Sequence, residues 1–133
     1  MGLAKKIDHI AIAVKDLDAA VDTFTENFGF PISRKGALPA LHIERAFLEI
    51  GDASLELFQP TSEQNPASKF ITERGEGMYL LSLEVDDMQK AVDSMAGKGL
   101  KVSVQTLPDG MKLGFISPKN THGVLLQLIE HPK

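Results

Sequence analysis

His9 and Glu56 are the side chains whose types and surroundings point first to chemistry. His9 stands in Asp8-His9-Ile10-Ala11-Ile12-Ala13-Val14, where bulky Ile10, Ile12 and Val14 alternate with His9, Ala11 and Ala13, so the imidazole shares a strand face with small residues. Glu56 lies between Leu55 and Leu57 in a second apolar strand, where an unpaired carboxylate is costly to bury. Something must compensate it. A neutral imidazole and a carboxylate can together ligate a borderline divalent cation, and a carboxylate in apolar surroundings can also take a proton from carbon. On residue types alone, a lone histidine on a strand with alanine neighbours is more often a packed, hydrogen-bonded core residue than a ligand.

The elements that must position this pair recur. The stretch from Asp8 to Asp22 matches the stretch that follows Met78 at a shift of 71 positions, which takes Val14, Asp16, Val21 and Asp22 to Val85, Asp87, Val92 and Asp93. The same shift takes Leu55-Glu56-Leu57 to Leu126-Gln127-Leu128, so the chain reads as a duplicated module. Each copy is expected to run strand, helix, three strands. In the first, Asp16 caps a helix with Leu17, Ala20, Val21, Phe24 and Phe28 at helical spacing and Gly29 as its stop. A short strand over 31–34, a loop over 35–40, and strands over 42–50 and 53–59 joined at Gly51-Asp52 follow. A linking helix of about 65–75 is expected to be capped by Asn65 with Pro66 in first position. The second copy repeats the plan with strands near 78–85, 101–105, 111–117 and 122–130 and a helix from about Asp87.

The fold class expected is therefore α+β: one domain, 1–133, of two tandem βαβββ modules (about 5–60 and 77–131). Their strands form a curved, partly open mixed sheet barrel with helices outside and a concave cleft. His9, Glu56, Leu80 and Gln127 are equivalent in pairs and are expected to converge in that cleft. Arg45 is on a strand that can offer its guanidinium bidentately to a carboxylate or phosphate. Glu84 shares an alternating row with Leu80, while Tyr79, on the other row, is expected to pack.

A net charge of -4 with no clustered Lys/Arg face argues against nucleic acid as partner. The absence of cysteine removes disulfides, thiol nucleophiles and zinc–thiolate sites. No apolar run approaches the roughly 18 residues a membrane span needs, and Met-Gly-Leu-Ala-Lys-Lys lacks a signal-peptide core, so the expected location is cytoplasmic.

Taken in order, several motifs resemble the vicinal oxygen chelate superfamily, which includes glyoxalase I, extradiol dioxygenases and antibiotic-resistance proteins. They are Asp8-His9-Ile10 with Ala13-Val14-Lys15-Asp16-Leu17, Leu55-Glu56-Leu57-Phe58-Gln59-Pro60, the run from Ser68 to Gly77, Glu84-Val85-Asp86-Asp87, Pro118-Lys119, and Gly123-Val124-Leu125-Leu126-Gln127-Leu128. The likeness spans Ile7 to about Lys133, and within the superfamily the chain is most similar to methylmalonyl-CoA epimerases. The resemblance implies paired βαβββ modules, a homodimer, and a divalent metal (Co, Ni, Zn or Mn) held by four side chains. Position by position, it implies His9 and Glu56 as ligands, with Gln127 as a third candidate ligand where the superfamily has a ligating glutamate that doubles as a base. Tyr79-Leu80 replaces a pair of histidines, and Ser117-Pro118-Lys119 stands for His-Pro-Lys. Leucine cannot ligate, so a weak metal site or none is expected. Leu80, Ser117 and Lys119, with Arg45 and Glu84, are the expected substrate contacts.

Two functions follow. One is an enzyme, an epimerase, isomerase or lyase of this fold, that removes a proton next to the carbonyl or thioester of a small acid such as an acyl-CoA, through Glu56 and Gln127. The other is a metal-free, small-molecule-binding protein of the resistance type. Gln127 has no titratable proton, so two-base epimerisation requires a second acid from among Glu44, Glu84, Tyr79 or His42.

Overall fold

The structure, a computed structural model, describes residues 2–133; Met1, where the N-terminal reading begins, lies outside the described residues. Eight strands and three helices alternate as β1 (Ala4–Ala13), α1 (Leu17–Phe28), β2 (Ile32–Leu38), β3 (Ile43–Ile50), β4 (Ala53–Pro60), α2 (Ala67–Arg74), β5 (Gly77–Val85), α3 (Met88–Ala96), β6 (Ser103–Thr106), β7 (Lys112–Ile116) and β8 (Leu126–Glu130). This is the α+β, twice-βαβββ order expected. Backbone contacts divide the chain into two compact units, His9–Tyr79 and residues 2–8 with Leu80–Lys133. In the first, the strand order is β2-β3-β4-β1 with β4 parallel to β1; in the second, it is β5-β8-β7-β6 with β8 parallel to β5.

The repeat holds down to individual hydrogen bonds. Ile10, Ala11 and Ile12 face Leu55, Glu56 and Leu57 across β1 and β4, and 71 positions on Leu81, Ser82 and Leu83 face Leu126, Gln127 and Leu128. Asp16 accepts from the Ala19 N–H as the N-cap of α1, and Asp87 accepts from the Lys90 N–H as the N-cap of α3. The first N–H of each helix, at Leu17 and Met88, donates to the side chain at the end of the parallel strand, Gln59 Oε1 at 2.9 Å and Glu130 Oε1 at 2.6 Å. Gly29, at φ 72°, ends α1 in the left-handed conformation that glycine adopts without penalty.

The first unit buries one sheet face under α1 and the second buries one under α3. Val14, Leu17, Val21, Ala46, Leu48 and Leu57 form the core of the first unit, and Val85, Met88, Ala91, Ile116 and Leu128 that of the second. The position across from Leu57 is Ala46 and the one across from Leu128 is Gly114, so the helix rests on a small residue in both. At Gly114 a Cβ would lie 2.8 Å from Val102 Cγ1 and 2.9 Å from Met88 Sδ. Gly114→Ala is therefore expected to destabilise by about 1–3 kcal/mol, read as a lower urea midpoint.

Four local expectations are corrected. The loop expected over 35–40 is largely strand, because Lys35, Gly36, Ala37 and Leu38 pair with Ala46, Arg45, Glu44 and Ile43, and only at Pro39 does a 3-10 turn begin. His42 is not in the third strand but ends that turn at φ 54°. The last strand starts at Leu126 and not at residue 122, since a 3-10 turn at Pro118–Asn120 leads into His122 and Gly123 with positive φ. Helix α2 starts at Ala67; Pro66 is its cap residue, and Asn65 Oδ1 accepts from the Ala67 N–H just before it. Among the described residues, no helix is long and apolar enough to cross a membrane.

Lys5 and Asp86 pair at 2.7 Å on the surface of the second unit. The hydrogen bond from Lys5 holds the Asp86 carboxyl below its usual value, and Asp86, then Glu84, push the Lys5 ammonium up. A depressed carboxyl stabilises the fold above its unfolded pKa, and that gain disappears as pH falls through the folded value. The lead of wild type over Lys5→Met in urea midpoint is thus expected to persist at neutral pH and to close once the medium is acidic enough to protonate Asp86. A lead that survives such acid would contradict the pairing.

Candidate functional site

Opposite the face that α1 covers, the first unit gathers its polar side chains. Parallel register sets Ala11 against Glu56, and antiparallel register sets Glu56 against Phe47, Phe58 against Arg45 and Ser54 against Glu49. Alternation then puts His9, Arg45, Phe47, Glu49, Ser54, Glu56 and Phe58 on that single face. Small Ala11 and Ala13 leave room beside the longer side chains.

His9 and Glu56 are buried, at 4% and 7% exposure, although both are polar. The imidazole Nε2 lies 3.5 Å from Glu56 Oε1, and Arg45 Nη1 lies 3.5 Å from Glu56 Oε2. The carboxylate expected to need compensation is met from both sides. The His9 ring stands edge-on to Phe47 at 5.6 Å, and the guanidinium carbons of Arg34 and Arg45 lie 4.6 Å and 5.0 Å from the centre of the same ring. Glu49 accepts from Ser33 and Ser54 at 2.5 Å and 2.9 Å. Tyr79 packs as expected, its ring edge-to-face with Phe58 and Phe70. Burial pushes its phenol up, so it stays protonated at neutral pH.

The equivalent face of the second unit is neutral at the matching positions. Ser82 Oγ donates to Gln127 Oε1 at 2.7 Å, and both are buried. Leu80, half-buried, stands where the repeat has His9, and Phe115 faces Gln127 as Phe47 faces Glu56. Ser117 and Lys119 are exposed around the 3-10 turn, where the Ser117 hydroxyl accepts from the Lys119 N–H. Glu84 is held by Lys5 at 3.3 Å and Lys6 at 4.0 Å. Glu44 is exposed, and His42 belongs to the turn before β3.

Phe47 was not among the residues singled out from sequence, nor was the pair His131 Nε2 and Asp8 Oδ1 at 2.6 Å. His131, Asp8 and Glu84 present ligand atoms within 4.8 Å of one another, the one group of three potential metal-binding residues among those described. Lys5 and Lys6 already neutralise its glutamate.

The sequence of residues 8–116 matches the family model of the glyoxalase/bleomycin resistance protein/dioxygenase superfamily. The chain belongs to this superfamily. Human mitochondrial methylmalonyl-CoA epimerase is 28% identical over 131 residues, spanning 92% of this chain and 72% of the human protein. The crystal structure of methylmalonyl-CoA epimerase from Mycobacterium tuberculosis is similar to this chain with a TM-score of 0.92 at 26% identity, over 100% of this chain and 92% of that one. A methylmalonyl-CoA epimerase solved with methylmalonyl-CoA and NH4+ gives a TM-score of 0.88 at 29% identity, over 96% of this chain and 94% of the other.

The divalent metal implied by superfamily resemblance can be tested against the donors. His9 and Glu56 supply two, and the second oxygen of Glu56 faces a guanidinium. A dication about 5 Å from a guanidinium is repelled by about 7 kcal/mol at an effective dielectric of about 20. The repeat position of His9 is Leu80, which has no donor, and the Gln127 oxygen accepts from Ser82. These residues fit a metal centre poorly.

Proposed function

We propose that this chain removes the proton next to the carbonyl of a small acyl thioester or related acid, with Glu56 as the base. The observation that carries this reading is the buried Glu56 carboxylate, flanked at 3.5 Å by His9 and Arg45 on the face opposite the one that α1 covers. The complex of a related epimerase with methylmalonyl-CoA supports an acyl-CoA as the substrate class. In the reaction the α C–H bond breaks, its proton passes to Glu56, and its electron pair moves onto the carbonyl oxygen as an enolate. Glu56 then returns the proton to carbon, or to the far end of a conjugated system. His9 holds the carboxylate in place, and Gln127, without a titratable proton, cannot serve as a base. One base suffices for exchange, a double-bond shift or an elimination. It does not suffice for two-base epimerisation.

Incubation with methylmalonyl-CoA and propionyl-CoA in heavy water tests this. Uptake of one deuterium at the α-carbon, well above the buffer rate, is expected, with mass spectrometry as the readout. The absence of any enzyme-dependent label would sink the catalytic reading. The neutral Ser82–Gln127 pair and Leu80 favour a second reading, a binding protein whose ligand affinity is indifferent to Glu56→Gln. A homodimer is part of the proposal, checked by sedimentation equilibrium.

A further inference from the structure

We propose that Arg45 supplies the positive charge of this site, taking the part a divalent metal plays elsewhere in the superfamily and stabilising the enolate oxygen. This rests on the proton-abstraction reading above. Three placements carry it. The β3–β4 register sets Arg45 one alternating position from Phe47, on the face that bears Glu56. Phe47 holds the guanidinium from one side, with its carbon 5.0 Å from the ring centre, which limits the conformations the side chain samples. The guanidinium is partly open, its side chain 20% exposed against 9% for Glu56, so an incoming oxyanion can reach it where it lies against Glu56.

The chemistry balances without a further reactant. As Glu56 takes the α-proton, the carboxylate loses its charge and the carbonyl oxygen acquires one. The counter-charge of Arg45 then transfers from base to enolate with little movement. A metal bound by His9 and Glu56 would have to share the carboxylate with the guanidinium, whose charge repels it and weakens its binding. Arg45 therefore sets both the cofactor requirement and the substrate class, an acid derivative whose oxygen becomes anionic.

The test combines exchange with metal titration. Wild-type exchange is expected to survive prolonged chelation, to fall about 100-fold in Arg45→Met, and to be partly retained in Arg45→Lys. In calorimetric titration with Co or Zn, wild type is expected to show no stoichiometric site that His9→Ala removes. Arg45→Met, relieved of the guanidinium, is expected to gain such a site, roughly tenfold tighter or more. Loss of exchange on chelation with recovery on adding metal would overturn the proposal, as would a stoichiometric, His9-dependent site in wild type. If wild type exchanges no thioester, the catalytic reading fails by itself. The titrations still decide the charge assignment: His9-dependent uptake by wild type refutes it, and uptake confined to Arg45→Met upholds it.

Discussion

Glu56→Gln is expected to lower α-proton exchange by about 100-fold or more, the usual contribution of a positioned base. The substitution keeps the shape of the side chain but replaces one carboxylate oxygen with an amide nitrogen and removes its capacity to take the proton. Its neighbours give the experiment a built-in control. His9 and Arg45 each lie 3.5 Å from the carboxylate, and a neutral amide still offers an acceptor to one of them, so stability is expected to change by only about 1 kcal/mol. A collapse of exchange at nearly constant urea midpoint identifies the base. Exchange that continues at the wild-type rate would mean that another group takes the proton, and the role given to Glu56 would have to be abandoned.

Leu57→Ala should produce the largest loss of stability. Leu57 neighbours Glu56 on β4 but points the other way, is fully buried, and belongs to the cluster with Val14, Leu17, Val21, Ala46 and Leu48 beneath α1. Truncation deletes buried methyl groups and leaves a cavity between sheet and helix, at a cost of about 3 kcal/mol. Against a total of about 5–15 kcal/mol that is a substantial share, visible as a shift of the urea midpoint at unchanged slope. Phe28→Ala, at a side chain 61% exposed, provides the comparison and should cost well under half as much. If the two variants unfold together, the assignment of the first core is mistaken.

The repeat was legible because residues 71 apart carry the same physical duties. Asp16 and Asp87 cap, Val14 and Val85 fill, and apolar rows at Leu55/Leu57 and Leu126/Leu128 mark the parallel strands. What the pattern did not give was set by pairing at a distance. Lys35-Gly36-Ala37 has loop composition, yet β3 offers it an open edge and it becomes strand. The stretch before Leu126 alternates plausibly, yet His122 and Gly123 adopt positive φ and delay the strand. His9 and Glu56 were found by their cost in apolar strands, whereas Phe47 was missed because a phenylalanine in a strand carries no such signal. The hairpin could have revealed it: a turn at Gly51-Asp52 that pairs Ile50 with Ala53 dictates Phe47 opposite Glu56 and Arg45 opposite Phe58.

The helix-capping bonds from Leu17 to Gln59 and from Met88 to Glu130 have a bearing on how such a molecule can be re-purposed. They fasten each helix at the strand end, on main-chain and border groups, so neither copy relies on its buried polar pair for architecture. One half can carry an ionic His9–Glu56–Arg45 constellation while its sibling holds an uncharged Ser82–Gln127 couple in the same scaffold. Grafting chemistry from one half onto the other is thus a matter of local electrostatics, and evolution or an engineer can vary the reactive groups without renegotiating the frame.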